Sequence, residues 1–348
     1  MKKQKQKETK MEQYYYNRLN KVQQNVYHAI KEGLLSLAPS FQIPRLEANE
    51  LSDIYFMVRL DNPEIFYSVT YKYRYYTDSP NAEMIPEYMF DKNKIMEHRK
   101  AMKARIEKLA LPVQKATDME KLLYIHDFVC ENVRYDKLKK PYSHEIIGAL
   151  GHGVGVCEGI AKTVKSLCDR LGIWCMIAIS GANPEKNIKY RHAWNIVCIN
   201  HQYYHLDATF DNTLGKSEQI RYDYFLRSDK HFFRDHEPVI WKIPECKDDS
   251  LFYYKGKKLS FTKYEDVQKR GMQAAKKGKI LTFHWRGGYM TKEVIKDILH
   301  ILEEEATKKG KHAKVSLNCP QAVVRVAFDS EIVAEEVVIE EANEGESL

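Results

Sequence analysis

The sequence predicts an α+β fold built around a cysteine-bearing helix and a β-hairpin. Apolar residues recur at helical spacing from Glu158 to Leu171, and Gly172 follows as a helix stop. Two runs rich in β-branched and aromatic residues, 191–199 and 202–210, are typical of strands. The segments on both sides of this region mix the two periodicities, which predicts a helical and β unit before it and a small α/β unit after it.

Pattern and charge divide the 348 residues into five segments. They are a basic tail over 1–10, expected to be disordered, an N-terminal α/β unit over 11–110, a core domain over 111–248, a small α/β appendage over 249–330 and an acidic tail over 331–348. The basic tail carries +4 and the acidic tail −7, so the body between them carries +10 although the whole chain carries only +7.

The N-terminal unit is predicted to contain three helices and an edge strand. The helices run from Tyr16 to Leu34, over 48–60 and over 93–109. Between the second and third helices, YSVTYKYRYY at 67–76 places tyrosines on one face and polar residues on the other. We expect the tyrosine face to be buried. The alternative, a tyrosine surface for a substrate or partner, stays open.

The core domain is predicted to open with a helix capped by Thr117. Glu120, three residues later, completes a capping box. His126 and Asp127 on this helix are expected to be structural, although His126 could still approach the catalytic pocket in space. Asp211, beyond the predicted hairpin, is expected to be a turn or cap residue.

Cys157 falls at the first turn of the central helix, after Gly151, Gly153 and Gly155 allow the chain to turn sharply. Unpaired amide N–H groups and the positive end of the helix dipole lie there and favour a thiolate over a thiol. These amides, with the N–H of Cys157 as the first candidate, can hold a developing oxyanion. The alternative is a buried cysteine that acts as a small apolar residue.

His192 and Asp207 lie on the two predicted strands of the hairpin. A two-residue turn at Asn200-His201 makes them diagonal neighbours on one face, whereas a three-residue loop would put them on opposite faces. Together with Cys157, this predicts a nucleophile, a base and an orienting acid. The alternative is a half-buried sheet with incidental polar residues.

Three further residues are candidates for the substrate cleft. Trp194 shares the predicted face of His192 and could shield it from water. His144 and His152 lie in the approach to Cys157, and a surface or capping role is the alternative for both.

Three blocks of sequence resemble the bacterial transglutaminase-like superfamily of cysteine enzymes. They are GVCEGIA at 155–161, HAW at 192–194 and YHLDATFD at 204–211. The resemblance covers 111–240 well and the segment before it more loosely. It implies a papain-like core with the nucleophile helix packed on an antiparallel sheet. In this resemblance Cys157 matches the nucleophile, His192 the base and Asp207 the residue that orients the histidine.

Residue types and resemblance together predict a cysteine-dependent enzyme that processes amide or peptide bonds through a thioester acyl-enzyme. The expected partner is a peptide or protein amide substrate. Hydrolysis is favoured over transamidation, because nothing in the sequence identifies an amine acceptor. Two other hypotheses stay open. One is a degenerate transglutaminase-like module that binds peptides without turnover, and the other is a basic scaffold that binds nucleic acid or an acidic surface.

Composition indicates the compartment of the protein and the partners that it is expected to lack. The seven cysteines are scattered and odd in number, which does not indicate a disulfide framework and favours a reducing cytoplasm. No Cys/His cluster has zinc spacing, so neither metal nor cofactor is expected. We find no secretory signal and no run of 18 apolar residues, and expect no membrane partner. Basic residues alternate with acidic ones, so no specific nucleic-acid partner is expected. The sequence leaves the oligomeric state open.

Overall fold

The computed structural model of the protein describes residues 13–215 and 219–330 and the backbone of 338–339. The predicted basic tail over 1–10 lies outside the described residues, and so does the acidic tail over 331–348 apart from 338–339. The chain divides into two units. The first unit reaches to His201 and includes Val239–Ile243, and the second unit comprises Gln202–Pro238 and continues from Pro244. The domain boundaries predicted at 110 and 248 stay predictions.

The first unit alternates helices with short strands. Its elements are α1 (Lys21–Leu35), β1 (Phe41–Pro44), α2 (Ala48–Asp61), β2 (Ser68–Tyr75), β3 (Asn81–Tyr88), α3 (Lys92–Ala110), α4 (Asp118–Asn132), β4 (Arg134–Tyr135), β5 (Val154–Gly155), α5 (Cys157–Leu171), β6 (Cys175–Ile179) and β7 (Ala193–Ile199), with 3₁₀ turns at Tyr16–Arg18, Leu111–Val113, Pro141–His144 and Pro184–Lys186 and a π-helical turn at Ile147–His152.

The N-terminal helix begins later than its apolar spacing predicts. Asn20 accepts a hydrogen bond from the Gln23 amide, and the Gln23 side chain accepts one from the Asn20 amide, so a capping box starts α1 at Lys21. The tyrosine-rich strand β2 is an edge strand of a three-stranded antiparallel sheet in the order β1–β3–β2, as predicted. Its tyrosine face is not buried as expected, since Tyr71 and Tyr73 are half-buried and Tyr75 is 48% exposed. The central strand β3 was not predicted, because it contains Pro86 and proline argues against a central strand.

The central helix lies on an antiparallel strand pair, which confirms the predicted α+β class. α5 packs against β6 and β7, and these two strands run antiparallel with Ile177 opposite Asn195. The Asn195 side-chain amide donates to the carbonyl of Ala161 in α5 at 3.0 Å. Gly172 ends the helix at φ 77°, in the left-handed region that glycine adopts at least cost. The Thr117–Glu120 capping box of α4 is also present.

The predicted hairpin turn is confirmed in its backbone and corrected in its second strand. Asn200 and His201 have φ of 50° and 64°, as a two-residue type I′ turn requires. The following strand ends at Leu206 instead of 210, because Asp207 caps a helix and satisfies two amides of its first turn. His192 also lies just outside its strand, since β7 begins at Ala193. The register across the turn stays a prediction.

The second unit ends in a five-stranded sheet covered by two helices. Its elements are β8 (Gln202–Leu206), α6 (Ala208–Leu214), β9 (Phe225–Arg227), α7 (Asp229–Phe232), α8 (Tyr253–Gly256), β10 (Ser260–Phe261), α9 (Tyr264–Lys277), β11 (Leu281–Trp285), α10 (Lys292–Thr307), β12 (His312–Asn318), β13 (Val323–Asp329) and β14 (Val338–Ile339).

The sheet order is β10–β11–β13–β12–β14, and α9 and α10 pack on it through a buried apolar core. The helices and strands of 249–330 agree with the α/β character predicted for this segment. The helical turn α8 precedes the short first strand β10. Among the helices in the described ranges, none combines the length and apolar character needed to cross a membrane.

Candidate active site

Cys157 is the first residue of α5, as predicted, and only 7% of it is exposed. The N-cap residue is Val156, whose side chain makes no capping hydrogen bond. The amides of the first helical turn are therefore not occupied by the N-cap side chain. Such a helix start favours negative charge, either on a thiolate or on a developing oxyanion.

A close contact with the turn Pro141–His144 fixes the start of this helix. The amide of Val156 donates to the carbonyl of Ser143 at 3.0 Å. A Cβ at Gly159 would lie only 2.2 Å from that same carbonyl oxygen. The chain therefore needs glycine at 159 for the helix to approach this turn, a requirement that sequence reasoning missed.

Glu158, beside the candidate nucleophile, belongs to an ion cluster whose other acid, Glu145, and whose lysine, Lys162, are buried. The ammonium of Lys162 lies 2.7 Å from Glu158 and 2.8 Å from Glu145. Arg59 pairs with Glu145 and lies 3.7 Å from Glu158. His144 Nδ1 lies 3.3 Å from the other oxygen of Glu158. We call the set of Arg59, His144, Glu145, Glu158 and Lys162 the ion cluster.

The ion cluster decides the charge of Glu158. Burial opposes its ionisation, but the charge of Lys162, a hydrogen bond from His144 and the charge of Arg59 together hold the pKa of Glu158 well below its usual range. Glu158 is thus ionised, and cations on several elements neutralise it. A carboxylate next to Cys157 need not oppose a thiolate under these conditions.

His192 directly precedes β7 and is 5% exposed. Its carbonyl accepts the amide of Ser180 at 3.0 Å, which ties the residue to the segment after β6. Its ring stacks on Trp194 with centroids 5.7 Å apart and an interplanar angle of 21°. Trp194 is itself buried, so it covers one face of the imidazole from water.

Asp207 is buried, and each of its two carboxylate oxygens has its own hydrogen-bond partners. One carboxylate oxygen accepts the amides of Thr209 and Phe210 at 2.8 and 3.1 Å. The other lies 3.0 Å from Nε2 of His236, whose Nδ1 lies 3.0 Å from Asp235. Sequence reasoning missed His236, because no local spacing or motif links it to Asp207.

The remaining candidates have varied surroundings. His152 is exposed at the end of its π-helical turn, with its ring 4.9 Å from that of Tyr142. His144 is 39% exposed and faces Glu158, so it has a partner within the ion cluster. The cleft roles of both histidines and of Trp194 stay predictions.

Two polar residues outside the candidate triad also have defined surroundings. His126 is fully buried on α4, with Nδ1 3.4 Å from Asp127. Asp211 is neither a turn nor a cap residue. It lies within α6, and its carboxylate accepts the amides of Asp223 and Tyr224 at 2.7 and 3.1 Å. The prediction was wrong because the partners of Asp211 are distant in sequence. The amides of Asp223 and Tyr224 precede β9 and need a buried acceptor.

Cys157 and His192 lie in the first unit, and Asp207 and His236 lie in the second. A triad of Cys157, His192 and Asp207 stays a prediction.

Residues 107–208 match the family model of the transglutaminase-like superfamily, and this range contains all three triad candidates. No protein of curated function matches the chain.

Three solved structures are similar to this chain at low identity. They are a TGase (11% identity over 64% of this chain and 65% of that one, TM-score 0.30), a candidate cysteine protease from Cytophaga hutchinsonii (15%, 40% and 61%, 0.25) and a candidate protease from Parabacteroides distasonis (12%, 40% and 36%, 0.25). The chain thus spans less than two thirds of the length of each. Similarity this low carries no inference about activity.

Proposed function

We propose that the chain is a cysteine-dependent enzyme that hydrolyses amide bonds in peptide or protein substrates. The match of residues 107–208 to the family model of the transglutaminase-like superfamily supports this proposal. Cys157 is the nucleophile, His192 the general base and Asp207 the residue that orients the imidazole. The observation that carries the proposal is the position of Cys157 at the start of α5, where Val156 provides no side-chain cap.

The packing of the first unit supports a pairing of Cys157 with His192. The helix that Cys157 begins packs on β7, the strand that follows His192 directly. The hydrogen bond from Asn195 to Ala161 joins the two elements. Its acceptor, Ala161, lies one helical turn after Cys157, and its donor, Asn195, lies three residues after His192. Both candidates are buried, which strengthens any charge interaction between them.

The chemistry follows from these residue types. The thiolate of Cys157 attacks the amide carbonyl, and the amide of Cys157 donates to the oxyanion that forms. The carbon–nitrogen bond then breaks, and protonated His192 gives its proton to the departing amine. Water attacks the resulting thioester while His192 takes its proton, which releases the carboxylic product and restores the thiolate. Asp207 favours the imidazole tautomer that these transfers need.

Hydrolysis is the proposed outcome because water is the acceptor available to any thioester that solvent can reach. Transamidation needs an amine bound beside the thioester instead. The two outcomes differ in product, so heavy-oxygen water labels the new carboxyl group only in hydrolysis.

Trapping the acyl-enzyme tests the proposal. The full chain is mixed with a peptide library or cell extract, quenched in acid and analysed by mass spectrometry. We expect an acyl adduct on Cys157 in the wild type and in Cys168→Ala, and none in Cys157→Ala. Cys168 is a matched control, because it lies on the same helix and is fully buried.

Three results would count against the hydrolase. Substrate cleavage without an adduct on Cys157, or cleavage that persists in Cys157→Ala, would remove the proposed nucleophile. Peptides retained tightly but never acylated would indicate a binding module in place of an enzyme.

A further inference from the structure

A second group of cysteine, histidine and aspartate lies wholly within the second unit. His205 belongs to β8, Asp229 begins α7, and Cys246 follows Pro244. One potential ligand atom from each of the three side chains lies within 4.8 Å of the other two. His205 and Cys246 are fully buried, whereas the Asp229 side chain is 35% exposed.

Asp229 connects the other two residues. One of its carboxylate oxygens lies 2.7 Å from Nε2 of His205, and the other accepts the backbone amide of Cys246 at 2.9 Å. Its own amide donates to the carbonyl of Cys246 at 2.8 Å. The His205 ring stacks on Phe232 with centroids 4.2 Å apart and an interplanar angle of 6°. Hydrogen bonds and ring stacking thus hold the three residues close together.

His205, Asp229 and Cys246 are the residue types of a nucleophilic triad, but the cysteine is not accessible to a substrate. Cys246 is 0% exposed, so a substrate carbonyl cannot reach its sulfur. Burial is no obstacle to a metal ion, which needs only its ligands and a path for entry. The partly exposed carboxylate of Asp229 gives such a path from solvent.

We propose that His205, Asp229 and Cys246 bind a zinc ion, with a solvent molecule beside Asp229 as the fourth ligand. Imidazole nitrogen, thiolate sulfur and carboxylate oxygen are all ordinary zinc ligands. On binding, the Cys246 thiol releases its proton to solvent. One thiolate and one carboxylate then balance the two positive charges, so the buried site carries no net charge.

The adjustment that binding requires is small. Zinc–ligand bonds of about 2.0–2.3 Å at tetrahedral angles separate ligand atoms by about 3.3–3.7 Å. The His205–Asp229 pair at 2.7 Å must therefore open by about 1 Å or less. Asp229 can make this movement, because it is partly exposed at the start of a helix of four residues.

A zinc ion here would cross-link three segments that are distant in sequence. It would join β8, the start of α7 and the segment after Pro244, and β8 leads directly into Asp207. The ion would therefore brace the strand that precedes the proposed orienting acid. The sequence shows no zinc motif, because residues 205, 229 and 246 have no local spacing.

Metal binding by the untagged full chain tests the proposal. We expect one zinc per chain by elemental analysis, and after chelation one Co²⁺ per chain with a sulfur-to-cobalt charge-transfer band. Cys246→Ser should lose this band and weaken Co²⁺ binding by more than about 100-fold. Cys319→Ser is the matched control, because Cys319 is another cysteine of the second unit that forms no disulfide, and this variant should bind Co²⁺ like the wild type.

A wild-type chain that binds neither zinc nor Co²⁺ stoichiometrically would overturn the site, and so would a Cys246→Ser variant with an unchanged band. If that variant fails to fold, ¹¹³Cd NMR of the wild type decides. A sulfur-ligated cadmium resonance supports the site, and a spectrum with oxygen or nitrogen ligands alone refutes it. None of these readouts depends on amide hydrolysis, so the zinc site and the proposed function can fail separately.

Discussion

Nε2 of His236 lies 3.0 Å from a carboxylate oxygen of Asp207, so the proposed orienting acid already has a buried imidazole partner. The ring of His236 is also enclosed by aromatic residues, with Phe232 stacked at 3.7 Å and Phe210 at 4.4 Å between centroids. The imidazole is therefore held in one orientation towards Asp207. We therefore expect His236 to position the proposed acid and not to take part in catalysis itself.

Replacement of Asp207 by asparagine separates its two roles. The asparagine side chain keeps an oxygen that can accept the amides of Thr209 and Phe210, so the cap of α6 and the fold should persist. It can no longer favour the required tautomer of His192, and kcat should fall by about three to four decades. Steady-state kinetics and thermal melts check this. Full activity in Asp207→Asn would contradict the assigned role.

His236→Phe tests the positioning role of the second histidine. The phenyl ring preserves the aromatic packing but removes the donor to Asp207. Since a hydrogen bond to an ionised carboxylate stabilises its charge, the acid limb of the pH profile of kcat/KM should move to higher pH. His236→Gln, which keeps a side-chain donor, should restore part of the wild-type profile. Identical profiles for all three proteins would show that His236 only fills space.

Lys162→Met tests the ion cluster. This change leaves Glu145 and Glu158 buried with Arg59 as the remaining full cation, and should cost about 3 to 5 kcal/mol of unfolding free energy. Urea unfolding followed by tryptophan fluorescence suits the test, because three of the four tryptophans lie in the first unit.

The control for the ion cluster is Lys72→Met. Lys72 pairs with Glu87 at 2.8 Å, but its side chain is 78% exposed, so its loss should leave the unfolding midpoint almost unchanged. Equal losses of unfolding free energy in Lys162→Met and Lys72→Met would contradict a special contribution of the ion cluster to stability.

Asp61 predicts a pH dependence of stability in the first unit. Its carboxylate accepts the amides of Tyr15 and Tyr16 and the hydroxyl of Tyr27. Burial nevertheless raises the pKa of Asp61 from 3.8 to about 6. Between these values the folded chain keeps a proton that the unfolded chain has lost. The contribution of Asp61 to stability must therefore fall as pH rises from about 4 to 6, by roughly 3 kcal/mol.

Asp61→Asn removes this titration and keeps an acceptor for the amides. Urea unfolding at a series of pH values should show the wild type losing stability relative to the variant as pH rises. Parallel curves for the two proteins would mean that Asp61 has an ordinary pKa in the folded state.

Local features of the fold could be predicted from the sequence. The start of α5 at Cys157, its end at Gly172 and the capping box of α4 all depend on residues within a few positions of each other. The turn at Asn200-His201 is equally local, and both residues have the expected positive φ. These signals were sufficient to predict a cysteine at a helix start, followed in sequence by a tight turn between two strands.

Features created by long-range contacts could not be predicted. The strand predicted over 202–210 ends at Leu206, because Asp207 caps the next helix although the residues after it have a high strand propensity. The ion cluster joins α2, a turn and α5, and no spacing rule relates Arg59 to Glu145. His236 approaches Asp207 from 29 residues further along the chain for the same reason.

The most direct test of the central claim is the pH dependence of Cys157 alkylation by iodoacetamide, followed by mass spectrometry of the full chain. Cys168 is an internal reference, because burial beside Cys175 raises the pKa of its thiol well above the usual range. We predict rapid alkylation of Cys157 at pH 6 to 7, where a free thiol of pKa about 8.5 reacts slowly, and a marked loss of this reactivity in His192→Ala. Alkylation that follows the free-thiol curve, unchanged in His192→Ala, would contradict the account.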